Sequence, residues 1–407
     1  MIHYSVSRSW RALAYAFFFD LLSRVSRPTM VCILVSASLL VGMSDLAASP
    51  LMVRVLLDEW AVQDVQPDQW VIACADGMRI LDDRGRQFGK KKKITIGAFD
   101  GTIYMQGKKR TSKKIVCRPL AGKIFFDGQE WDGSLHIILD NETIFCINTV
   151  PLKQYLFSVL RTESWPGWPL EVNKAFAIVS RSYAIKKMVE AQGALSIFDI
   201  RNTNHHQTYQ GSHNVYSLHK AVDQTEGVFL SYNNEPILAM FDSCCGGVIP
   251  ADIEGLVDFE KAPYLARTYP CTFCKHEKIY RWSTEVPIEQ LRDSLTQALG
   301  TKIAPIMGLR VISKDKAGVV KEIEILTSRG SHYISCRQLY SMLKGVKSFS
   351  FSIARNGKSF IVKGRGFGHH IGLCQWGSRQ MVREGWDYRR ILNFYYPQVQ
   401  YMKLSNE

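Results

Sequence analysis

At Pro151 the hydrophobic period of the chain changes. From about Trp60 to Val150 the apolar residues come in short strand-like blocks, Val71-Ile72-Ala73, Ile94-Thr95-Ile96, Lys123-Ile124-Phe125-Phe126 and Leu135-His136-Ile137-Ile138-Leu139. Asp-Gly, Gly-Lys and Asp-Asn turn signals separate them. Beyond Pro151, Leu152, Tyr155, Leu156, Val159 and Leu160 recur at helical spacing as far as Glu163. A period of 2 and a period near 3.6 cannot share one element, so a strand-rich part must precede a part that begins with a helix. Lys90-Lys91-Lys92-Lys93 is assigned to one of the early turns, as a solvated hairpin end or as an attractor for an acidic polymer.

Pro166 and Pro169 break the first helix, and a second is expected from Leu170 to about Ala191, with Glu171 at its positive end. Further helices are expected at 217–225, 287–299, 375–384 and 387–394. Asn233-Asn234 marks a hairpin within 227–241, and strands are expected near 309–313, 320–326 and 332–336. Strand and helix blocks without regular alternation give an α+β fold class. A chain of 407 residues has room for two domains. The expected division is a strand-rich region over 51–130 and a mixed helix/strand catalytic core over 131–401.

The first fifty residues read as an export signal or membrane anchor. Arg8, Arg11, Arg24 and Arg27 precede the apolar run Met30–Met43, which ends in the small residues of Ser44-Asp45-Leu46-Ala47-Ala48. That run is shorter than the roughly 20 residues of a membrane-crossing helix. The expected location is therefore outside the cytoplasm, periplasmic or anchored facing the cell wall. A formal net charge of +14 calls for an anionic partner surface. Export together with the absence of any DNA- or RNA-binding motif argues against nucleic acid. Nine cysteines follow the signal, and in an oxidising compartment some should pair.

The chemistry is expected at Glu163, in the run Glu163-Ser164-Trp165-Pro166-Gly167-Trp168-Pro169. A carboxyl beside tryptophan rings in a poorly hydrated pocket favours its neutral form, as a glycosidic general acid requires. Trp165 and Trp168 would also offer flat faces to sugar rings, unless they serve as core. Lys174 and Arg181 are seven residues apart, hence on one helix face, with Ala177 between them. They read either as a solvated edge or as a pair that holds a ligand.

The ordered blocks resemble the stage II sporulation protein D family: Asn148-x-Val150-x-Leu152-x-x-Tyr155-Leu156, Glu163, Trp168-Pro169-x-Glu171, Lys174-Ala175 and Ser180-Arg181-Ser182-Tyr183-Ala184. The resemblance continues through Gln207-x-Tyr209-x-Gly211, Lys220-Ala221-Val222, Ser243 to Gly247, Pro263-Tyr264-Leu265 and Arg281-Trp282. Its strongest late block is Gly364-Arg365-Gly366-Phe367-Gly368-His369-His370-x-Gly372-x-x-Gln375-x-Gly377. The resemblance implies a peptidoglycan glycan-strand cleaving enzyme, a lytic transglycosylase acting on strands without stem peptides, with Glu163 as the catalytic acid. It implies substrate contacts from Lys174, Arg181, Tyr264, Trp168, Gln207, Tyr209, His369 and Gln375. Implied partners are glycan strands, an amidase and divisome proteins. A non-catalytic peptidoglycan-binding scaffold or amidase enhancer is the alternative.

No second acid has a comparable motif, and Asp199 and Asp242 are the other acids considered. One acid suffices for a transglycosylase, whereas ordinary glycosidases use two. No metal is required by this reading, and the family's H-x5-C-x5-C zinc pattern is missing: Arg201 and His206 stand at its cysteine positions. His205 and His206 read as groove residues or as plain surface histidines. A separate cluster, Cys271-x2-Cys274-x-His276 with Cys244-Cys245 upstream, could hold zinc or form disulfides. His369, in its glycine-rich setting, reads as structural or catalytic.

Overall fold

The computed structural model describes residues 50–62, 70–203, 206–251, 253 and 255–404. The export segment and His205 lie outside the described residues. No helix among the described residues is long and apolar enough to cross a membrane. The fold is α+β, and the chain divides into two compact units.

The first unit holds residues up to Tyr155, with short returns at 226–229 and from 401. Its strands are β1 (Met52–Ala61), β2 (Trp70–Leu81), β3 (Gln87–Phe99), β4 (Thr102–Met105), β5 (Lys108–Lys109), β6 (Lys114–Pro119), β7 (Ile124–Phe126), β8 (Gln129–Trp131), β9 (Ser134–Asp140) and β10 (Thr143–Pro151). They join in the order β1-β10-β9-β6-β2-β3-β4-β5, with β7 on β2 and β8 on β7. Each pairing is antiparallel, so one residue in two faces the core. Ile72, Ile96, Ile115, Leu135, Ile137 and Ile144 are buried in this way. The sheet runs on without a break at 130, the boundary expected from the sequence. Lys90–Lys93 are not at a turn but inside β3, where all four side chains are exposed. The early Asn148 is structural: its amide donates to the carbonyls of Asp132 at 2.9 Å and Ser134 at 3.2 Å.

The second unit holds 156–225 and 230–400. Its helices are α1 (Leu152–Glu163, entered from the first unit), α2 (Leu170–Gly193), α3 (Tyr216–Gln224), α4 (Ile288–Leu299), α5 (Cys336–Met342), α6 (Gln375–Arg383) and α7 (Tyr388–Tyr395). The apolar stripe of α1 is wholly buried at Leu152, Tyr155, Leu156, Val159 and Leu160. Each such side chain contributes roughly 1.5–3 kcal/mol. The hairpin at 228–236 turns on Asn233 and Asn234, whose φ values of 50° and 65° are those of a tight two-residue turn.

Candidate active site

Glu163 is the last residue of α1, because Pro166 supplies no N–H to continue it. The Ser164 hydroxyl bonds to the Asn173 side-chain carbonyl, and the Asn173 amide donates to the Trp168 carbonyl at 3.4 Å. The turn between α1 and α2 is thereby tied to α2. A second segment, 207–210, is laid along α1. Thr162 donates its hydroxyl to the Thr208 carbonyl at 2.6 Å, and the Ser158 hydroxyl accepts from Gln210 N–H at 3.1 Å. This brings the Thr208 N–H to 2.8 Å from Glu163 Oε1.

Burial raises the pKa of Glu163, and the hydrogen bonds from Thr208 act in the opposite direction by favouring the carboxylate. The carboxyl is thus one that holds a proton more tightly than in water and has a donor ready when it gives the proton up. That is the behaviour of a group that alternates between acid and base.

Beside the acid stands an aromatic wall. Trp165 and Trp168 are stacked at 6.4 Å, and Trp168 meets Trp376 edge-on at 5.3 Å. The Arg379 guanidinium lies over both Trp168 and Trp376, at 5.7 and 5.1 Å, and Trp165 is 58% exposed. Flat apolar faces that keep access to solvent suit sugar rings. Trp376 and Arg379 were not singled out in the sequence, although the block Gln375-Trp376-Gly377 contained the first of them. Thr208, between Gln207 and Tyr209, was likewise not singled out.

The late glycine-rich block is a backbone-docking device. A Cβ at Gly372 would come within 1.8 Å of the Met240 carbonyl, and one at Gly368 within 2.5 Å of Asp242 Cβ. Phe241 and Asp242 pair with Leu373 and Cys374 as short parallel strands. This seats Gln375 at the start of α6, where its amide donates to the Glu163 carbonyl at 2.9 Å and its own carbonyl accepts from the Ser243 hydroxyl at 3.2 Å.

Several residues expected to touch substrate make contacts within the protein. Arg181 is completely buried and its guanidinium donates to the Ala177 carbonyl at 3.4 Å. It shares a helix face with Lys174, but it lies within the stretch 175–185 of α2, in which every residue is buried. Gln207 and Tyr209 are buried, and they flank Thr208 while the Tyr209 N–H is held by Asn202 Oδ1 at 2.8 Å. Tyr264 is also buried, its hydroxyl accepting from Leu238 N–H at 3.0 Å. Lys174 is half-buried, pairs with Glu171 at 2.7 Å and lies 5.8 Å from the Tyr388 ring centre. The Nδ1 of His369 accepts from Ile371 N–H at 3.1 Å, and burial pushes the ring's pKa down to about 4, so it is neutral at pH 7. His206 lies edge-on to the Tyr183 ring at 6.2 Å.

Both alternative acids are more deeply buried than Glu163. Asp242 is buried with its pKa pushed up by desolvation, and it accepts from the His370 N–H at 2.7 Å. Asp199 is buried as well. A cavity of about 680 Å³ lined by Arg281, Lys314, Lys363 and Arg365 has no carboxylate in its wall.

The nine described cysteines are all buried free thiols, which corrects the expectation of disulfides. Four of them, Cys245, Cys271, Cys274 and Cys374, bring their sulfurs within 4.8 Å of one another. His276 is exposed and outside this group, and Cys374, a hundred residues further on, takes its place. Among the described residues, these four side chains are the ones that could hold a metal ion.

A family profile described as Stage II sporulation protein matches residues 140–232, and a domain of unknown function matches 267–372. An uncharacterised protein of Brachyspira hyodysenteriae is 30% identical over 273 residues, which are 66% of this chain and 72% of that one. Stage II sporulation protein D of Bacillus subtilis is 25% identical over 62% of this chain and 75% of its own length. The amidase enhancer of the same organism is 25% identical over 60% of this chain, but the matched part is only 39% of that longer protein.

Proposed function

The chain belongs to the stage II sporulation protein D family and has a role at the cell wall, and on that premise we propose that it is a lytic transglycosylase that cuts peptidoglycan glycan strands. The observation that carries the reading is a single carboxyl, Glu163, raised in pKa, faced by the Thr208 N–H and set beside exposed tryptophan.

Protonated Glu163 gives its proton to the glycosidic oxygen on C1 of N-acetylmuramic acid. The C1–O bond breaks as the oxygen leaves as the N-acetylglucosamine hydroxyl, and positive charge develops at C1. The Glu163 carboxylate, now held by Thr208, takes the proton of the same muramic acid's 6-hydroxyl. The hydroxyl oxygen bonds to C1, and a 1,6-anhydro end forms with the acid regenerated and no water consumed. A second carboxylate has no task in this sequence. Trp165 and Trp168 would hold the sugar rings, and Lys174 is the solvent-accessible cation of α2 nearest in sequence to the acid.

Strands stripped of stem peptides are the preferred substrate in this reading. In this reading the N-terminal segment would carry the enzyme to the wall side of the membrane, and an amidase would supply those strands. The test is mass spectrometry of purified glycan strands after incubation with wild-type and Glu163→Gln protein. Anhydromuramic ends from the wild type alone support the proposal. Reducing ends from the wild type would make it a hydrolase, and no products from either would make it a scaffold or an enhancer of an amidase.

A further inference from the structure

We propose that Cys245, Cys271, Cys274 and Cys374 form a tetrathiolate site for one structural zinc ion, which fastens the loop and helix that hold Glu163. Zinc bound by four cysteines at about 2.3 Å each has its sulfurs about 3.8 Å apart. Here Cys245 and Cys274 sulfurs are 3.7 Å apart, and all four fall within 4.8 Å. Disulfide sulfurs stand about 2.05 Å apart. The four side chains are 0% exposed, so the coordination shell closes on itself with no place for water, as structural zinc sites do and catalytic ones do not.

Three hydrogen-bond donors reach two of these sulfurs. Cys374 Sγ accepts two backbone N–H groups, from Cys245 and Gly377, each at 3.3 Å. It also caps the N-terminus of α6, the positive end of that helix. The Tyr395 hydroxyl is 3.2 Å from Cys271 Sγ and can donate to it. The buried Arg267 guanidinium lies over the Tyr395 ring, 5.8 Å from its centre. Donors of this kind orient metal ligands and spread their charge. The packing leaves no slack: a Cβ on Gly377 would meet Tyr395 Oη at 2.3 Å, Cys271 Sγ at 3.0 Å and Cys374 Sγ at 3.2 Å.

The ligands come from three places in the chain, and two adjoin the acid's support. Cys374 precedes Gln375, which donates to the Glu163 carbonyl, and Cys245 follows two residues after Ser243, which donates to Gln375. One ion would therefore fix both ends of that hydrogen-bonded pair.

The experiment needs no glycan, so its outcome is separable from that of the cleavage assay. The full chain is purified with zinc present, dialysed and measured for metal and for thiol oxidation by intact mass. The expected result is one zinc per chain, and on cobalt exchange the absorption bands of tetrahedral cobalt thiolate. Cys274→Ser and Cys374→Ser should lose the ion, and His276→Ala should keep it in full. If the serine variants fail to fold, the stoichiometry and cobalt spectrum of the wild type decide by themselves. Wild type with no retained metal, with iron in place of zinc, or with a mass lower by two hydrogens for each disulfide formed among the four overturns the proposal.

Discussion

The surroundings of Glu163 and the four-cysteine cluster lie in the same unit and are built on opposite plans. Glu163 is half-buried, receives a backbone donor and stands next to a tryptophan that is 58% exposed. The sulfurs are fully buried and packed so tightly that one helix position between them must be glycine. A group that exchanges protons with a substrate needs water and sugar within reach. A group that only fastens chain to chain gains from their exclusion. The two plans meet at Cys374 and Gln375, adjacent residues of which one joins the cluster and the other holds the acid's carbonyl.

The largest effect should come from breaking the first plan alone. Glu163→Gln is expected to lower the rate of glycan cleavage by about 10²- to 10⁴-fold, the usual worth of general acid-base catalysis, while the metal content stays that of the wild type. Glycan product analysis and metal analysis on the same preparation check it. A smaller effect should follow at the junction. Gln375→Ala removes a neutral hydrogen bond worth about 1–1.5 kcal/mol, so kcat should fall about tenfold with KM little changed. A change confined to KM would mean that Gln375 binds substrate instead of steadying the acid. At the rim, Trp165→Ala should weaken glycan binding by about tenfold, since covering roughly 60 Å² of ring face is worth about 1.5 kcal/mol. Its melting temperature should match the wild type, because the side chain is mostly exposed.

The smallest effect concerns pH. Burial raises the pKa of Glu163, so the folded chain holds that proton more firmly than the unfolded chain does. The stability this group confers is complete at low pH and is lost as pH rises through the folded value. Glu163→Gln should therefore melt slightly higher than the wild type in alkaline buffer, with the gap closing on acidification. Cleavage by the wild type should decline over the same rise in pH, because only the protonated form can act as acid. Matched thermal melts and rate profiles read both.

Local pattern carried the helices well: the stripe of α1, the start of α2 at Leu170 and the paired asparagines of the 228–236 hairpin were each legible. Such features depend on neighbours a few residues away. Lys90–Lys93 defeated the same logic, because a strand exposed at these positions can carry four successive cations without any turn. Arg181 defeated it too, since helical spacing says which residues share a face but not how deeply each end of the face is packed. Glu163 was singled out in the sequence by its tryptophan neighbours and by the ordered motifs. Thr208, Trp376 and Cys374 reach their partners by the docking of distant backbone segments, and no local period encodes that.

The bond between Gln375 and the Glu163 carbonyl spans 212 residues of chain. Contacts of such separation close late, because the entropy of a long loop must be overcome before they return anything. During synthesis the acid emerges early and waits, unsupported, until the glycine-rich segment and α6 have followed it. A chain cut short anywhere before Gln375 carries the carboxyl without its brace, so the surroundings of Glu163 are assembled only when that residue has been made.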